Sequence, residues 1–160
     1  MKLIFFFIYV ILTAAAFGLL EIQMEGKNGW ASKLPCWRPK GRLNKAIEWV
    51  TISLGASPLT GYHLIFWLLF FPLMIHLPVF FTSSWSWRNE MTIWGFMFLI
   101  IPFEDFFWFV FNPHFGIKNF RENNPNLYWH KKWFLGVPLF YWLWIPLGLL
   151  FTLTGFAIIF

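Results

Sequence analysis

Glu104 and Asp105 are neighbouring acids inside residues 93–111, a run otherwise apolar and long enough to cross a bilayer. On insertion-derived scales each central acid costs roughly 2.5 to 3.5 kcal/mol, while Phe, Ile, Leu and Val each return about 0.3 to 0.6. The run holds twelve such residues, so alone it breaks even. A neighbouring helix, water, a cation or a proton must stabilise the pair. A carboxyl in such surroundings suits proton donation or acceptance. The competing expectation is that the acids bond His63, Tyr62, Asn112 or a tryptophan indole and simply fix helix register.

Other acids reach the same depth. If successive apolar runs alternate in direction, Glu21 and Glu25 stand at the end of the first, and Glu104 lies seven residues before Phe111. At 1.5 Å per residue that is about 10 Å below the same surface. His63 enters the second run at this level, and His114 and His130 lie in the loop above. The candidate site is therefore Glu104 and Asp105 as acid or base, with Glu21, Glu25 and His63 converging on them. Glu21 and Glu25 share a helix face at i, i+4, where like charges repel, and a surface ion-pair network with Lys27 or Lys33 is their simplest relief. Oxygen and imidazole donors would suit a divalent cation. His114 and His130 lack a zinc-ligand spacing, so metal and cofactor stay open. His76, alone on an apolar run, reads as a hydrogen-bonded interior histidine.

The elements that must position these groups follow from composition. With 59% hydrophobic, 24% aromatic and 12% charged residues in 160, the chain is too apolar for a soluble domain. It reads as a single all-α integral membrane domain, a bundle of four transmembrane helices over residues 3–20, 64–81, 93–111 and 137–159. Leu43, Ala46, Ile47, Val50 and Leu54 form one stripe, which predicts an amphipathic helix over 43–54 lying in the cytoplasmic interface. Residues 29–39, dense in aromatics and prolines, read as an ordered cap. Pro72 and Pro78 predict a kinked second span, residues 82–92 a brief outer hairpin, and Asn112-Pro113 the end of the third span. Gly148, Thr152 and Gly155 share a face suited to close helix packing. The twelve tryptophans and most phenylalanines read as interface belt and lipid contact.

Six basic residues lie between runs one and two, four between runs three and four, and two elsewhere. That asymmetry puts both loops in the cytoplasm of a cell whose plasma or inner membrane holds the protein, with both termini outside. Residues 2–16 also carry the marks of a signal peptide, but cleavage would export the six-charge loop. The net charge of +5 sits in membrane-flanking loops without a nucleic-acid motif. The expected partners are membrane lipids, including anionic headgroups, with a membrane-protein partner or a second copy of the chain also in reach. Cys36 stands alone, which excludes an intrachain disulfide. No internal repeat suggests a transporter.

Pro102-Phe103-Glu104-Asp105, followed by Phe106-Phe107, resembles the P-x-E-[ED] motif of small membrane carotenoid cyclases of the lycopene type. The resemblance covers six residues and implies that Glu104 and Asp105 protonate a polyene end group. Two functions remain in view: an enzyme acting on a lipid or isoprenoid from the inner leaflet, and a non-catalytic subunit or scaffold that binds another membrane protein. An enzyme needs a cavity with convergent polar groups, whereas a scaffold needs a continuous packed core with its acids paired.

Overall fold

A long apolar stretch without an internal proline forms the first helix, α1 (Lys2–Glu25), which ends where Gly26 takes a positive φ of 63°. A computed structural model describes residues 1–27, 29–38, 40–53, 57 and 59–157, without the side chains of residues 44, 50 and 52. After the cap segment comes α2 (Gly41–Ser53). The next helix has three parts, α3 (Gly61–Ile65), a π-helical turn (Phe66–Phe70) and α4 (Phe71–Thr82). Pro72 has no N–H to give Leu68 in an α-register, and Phe71 N–H instead bonds back to the Phe66 carbonyl. The expected kink thus takes the form of a widened turn.

α5 (Trp87–Phe111) starts at Ser86, whose hydroxyl accepts the Asn89 N–H at 3.1 Å. The connection between α4 and α5 is therefore only residues 83–86, much shorter than the expected 82–92. α5 ends at Asn112, whose Oδ1 accepts the N–H groups of His114 and Phe115 while its Nδ2 donates to Gly26 O at 2.9 Å. One buried amide thereby stops α5 and ties it to the end of α1.

Three helices are long and apolar enough to cross a membrane: Lys2–Glu25, Gly61–Thr82 and Trp87–Phe111. The stretch expected over 137–159 divides differently. Strands β1 (Trp133–Phe134) and β2 (Val137–Pro138) form a hairpin, and only Leu139–Gly155, our α6, is helical, with 17 residues. Leu135 and Gly136 both have positive φ, 50° and 76°, the backbone that a two-residue hairpin turn requires. Residues 158–160 lie outside the described set.

α5 is the centre, with α1 and α6 packed along it. Small residues make both contacts. A Cβ on Gly18 of α1 would stand 3.0 Å from Trp108 N and 3.1 Å from Glu104 O, so only glycine admits the α5 backbone there. On the other side Gly148 meets Leu99, Thr152 meets Gly95 and Gly155 meets Thr92, as the shared small face of α6 predicts. These pairs make α1 parallel and α6 antiparallel to α5. The connection from α1 to α3 and that from α5 to α6 consequently meet at one end, where Ser57 N–H and Oγ bond the Trp129 and Tyr128 carbonyls.

α2 covers the predicted 43–53, with residue 54 outside the described set. Within it Thr51 is buried, while Leu43 and Trp49 are exposed.

Candidate active site

Gly18 brings α1 onto α5 at the level of Glu104, and one helical turn later Glu21 meets it. The two carboxyls face each other across this contact, and a close pair of carboxyls is favoured when it shares one proton. Glu21 also accepts the Tyr62 hydroxyl at 2.9 Å and the Trp67 indole N–H. Glu25, a turn further on, accepts the backbone N–H groups of Ala31 and Trp30. No lysine or arginine pairs with either acid among the described residues. The surface network expected with Lys27 or Lys33 is therefore replaced by burial under the cap. Trp30 and Ala31 there take left-handed backbone (φ 50° and 49°), which turns their N–H groups down onto Glu25.

The neighbouring acid looks the other way. Asp105 Oδ2 accepts His130 Nε2 at 3.0 Å and the Tyr141 hydroxyl at 2.5 Å. A neutral His130 then carries its proton on Nε2, which leaves Nδ1 as a lone-pair acceptor. The 100° step between adjacent helical residues explains the division: Glu104 faces α1, and Asp105 faces α6 and the loop before it.

Both acids border one cavity of about 360 Å³, and all five predicted site residues line it: Glu21, Glu25, His63, Glu104 and Asp105. His63 is fixed by Thr60, whose N–H and hydroxyl meet Nδ1 at 3.3 and 2.8 Å, and its ring lies against Trp30 with centroids 4.4 Å apart. Glu104 Oε1, Trp108 Nε1 and His130 Nδ1 are buried and lack a hydrogen-bond partner among the described residues. Unsatisfied buried polar atoms are costly, about 1 to 3 kcal/mol each, and three on one cavity wall mark a place for a ligand or water. Leu68 of the π turn lines the cavity and is also 60% exposed, so at this residue the cavity wall is part of the apolar surface.

Three features of this site lay outside the sequence reading. His130, expected in the loop above the site but not among the candidate site residues, is held by Asp105. Tyr141 comes from α6 to the same carboxylate. Trp30, Trp67, Trp108, Trp129 and Trp144 line the cavity where belt and lipid contact is expected. One local signal was available for them: Trp108 follows Glu104 by four residues, one turn along the same face. Gly29 seats Trp129, since a Cβ there would press into the indole and the backbone φ is 61°.

Other candidates lie elsewhere. His76 sits at the opposite end of the helices with Nε2 3.1 Å from Glu90 Oε1, and Trp94 donates to the same oxygen at 2.8 Å. His114 borders a separate polar hollow with Lys27, Asn119 and Asn126. Among the described residues no group of three His, Cys, Asp or Glu side chains forms a metal site. No protein-family model, curated protein or solved structure matches this chain.

Proposed function

We propose that this protein is a membrane-embedded enzyme that transfers a proton to or from a lipid or isoprenoid drawn in from the bilayer. One observation carries the reading: Glu104 Oε1 and His130 Nδ1, both buried and both unpartnered, belong to two different polar couples on the wall of a single apolar cavity. The Glu21–Glu104 couple holds a proton to give. The Asp105–His130 couple presents a ring nitrogen able to take one. An acid and a base on one apolar substrate are what a double-bond shift or ring closure needs, with water excluded by the tryptophan walls. The likeness to carotenoid cyclases gives both acids one role. The contacts favour a division, with Glu104 as the acid and Asp105 as the group that orients His130.

In this reading α6 is a fourth span, completed by the hairpin that precedes it, and α2 lies in the interface beside the cap. The end carrying ten of the twelve basic residues faces the cytoplasm and its anionic lipid headgroups, and both termini face away. The scaffold alternative is less well supported, since the small faces of α1 and α6 are already occupied by α5.

The test needs no known substrate. The protein in lipid nanodiscs, incubated in D2O with a membrane-lipid extract of its host, should leave lipids carrying carbon-bound deuterium detectable by mass spectrometry. Glu104→Gln should abolish the labelling. If wild type and variant leave identical lipid mass spectra, the enzyme reading is wrong.

A further inference from the structure

We infer that the cavity takes the alkylated ammonium end of an amphiphile, an organic cation carrying an apolar chain. This deepens the proposed function, because it assigns the ligand class of the same cavity. The argument begins with charge. Four carboxyl side chains line the cavity, Glu21, Glu25, Glu104 and Asp105, and among the described residues no lysine or arginine does. Arg38, the guanidinium nearest the cap, is taken up by the carbonyls of Ala31 and Ser32. A phosphate or diphosphate headgroup would meet four acids on the wall, so a cationic ligand suits the cavity better than an anionic one.

Five tryptophans and Phe140 make up much of the remaining wall, beside His63, His130 and aliphatic residues such as Leu59, Met97 and Ile101. Indole faces carry negative potential and attract cations, most strongly where water is displaced, and aromatic cages of this kind hold quaternary ammonium groups. Hydrocarbon alone would be held as well by leucine and valine, and would give the acids nothing. Glu104 Oε1 supplies the independent sign of a ligand: it is an oxygen of a residue 4% exposed, on the cavity wall, without a donor. A positive charge beside it satisfies it. Trp108 Nε1, also buried and unpartnered, is a donor and calls for an oxygen on the same ligand, as in a hydroxyl or ester close to the ammonium. The volume, about 360 Å³, lies in the range of small-molecule sites. Leu68 marks where the chain of the amphiphile leaves toward the apolar surface.

Choline and its uncharged carbon isostere, 3,3-dimethylbutan-1-ol, have the same shape and differ by one charge. Both are titrated against the full chain in phosphatidylglycerol nanodiscs, which contain no choline headgroup, with binding followed by calorimetry. Choline is expected to bind at least tenfold tighter than the isostere. Glu104→Gln is expected to reduce that ratio, and Trp30→Leu to weaken choline more than the isostere. Equal affinity for the two probes in the wild type, or no choline binding, overturns the inference whatever the variants do. The two readings fail separately. Selective choline binding without deuterium transfer keeps the cation site and removes the enzyme. Deuterium transfer without choline selectivity does the reverse.

Discussion

A single oxygen of Asp105 accepts both Tyr141 and His130. That makes it an orienting group, and the energy of its bonds is testable. Tyr141→Phe keeps the ring, which packs edge-on against Phe140 with centroids 4.6 Å apart, and removes only the hydroxyl. Hydrogen bonds to charged groups contribute about 1.5 to 3 kcal/mol, so the variant should unfold more readily by about that amount in detergent titrations. A stability equal to wild type would mean that the Tyr141–Asp105 bond is not formed. Glu104 differs in kind: it faces Glu21, and its Oε1 has no hydrogen-bond partner among the described residues, an arrangement suited to exchange with a ligand rather than to holding a helix in place.

At the level of elements, the site exists because α1 lies backbone to backbone on α5 at Gly18. One turn separates that contact from Glu21, so the distance between the helices sets the meeting of Glu21 and Glu104. Gly18→Leu cannot be accommodated without moving α1 outward, a distortion expected to cost about 1 to 3 kcal/mol or more. It should lower the melting temperature and abolish deuterium transfer together. Leu19→Phe, one residue along on an exposed face, should leave both nearly unchanged. Equal tolerance of the two substitutions would refute the close packing. The π turn acts on the opposite wall, since the wider turn enforced by Pro72 is where Trp67 and Leu68 join the cavity.

For the whole molecule, the loops rich in lysine and arginine meet at the end where the cavity lies. The connection 83–86 is at the other. Reporter tags inserted in the 83–86 turn and at Asn123 should therefore fall on opposite sides of the membrane, with Asn123 cytoplasmic and residue 160 on the side of the turn. A cytoplasmic score for the turn, or both tags on one side, would refute the arrangement. Such an orientation opens the cavity toward the inner leaflet, where the proposed ligand would be drawn from.

Depth was legible in the sequence, and direction was not. A rise of 1.5 Å per residue and alternating runs place Glu21, Glu25, His63 and Glu104 at one level before any contact is known, and Asn112-Pro113 and the small face of α6 mark a boundary and a packing surface. The inward side of α5, by contrast, leaves little mark in its composition. Buried residues such as Phe96, Leu99 and Ile100 are as apolar as those expected to face lipid, so hydrophobic periodicity carries almost no signal about rotation. Tertiary contact decided it: Gly18 turns Glu104 toward α1, the α6 glycines hold the other side, and the loop returns His130 from 25 residues away to Asp105. The five cavity tryptophans turned inward for the same reason, while Trp37, Trp49, Trp85, Trp87 and Trp142 stay exposed. In a membrane protein apolar rings suit lipid and core equally, and only the shape and polar groups of the neighbouring helices choose between them.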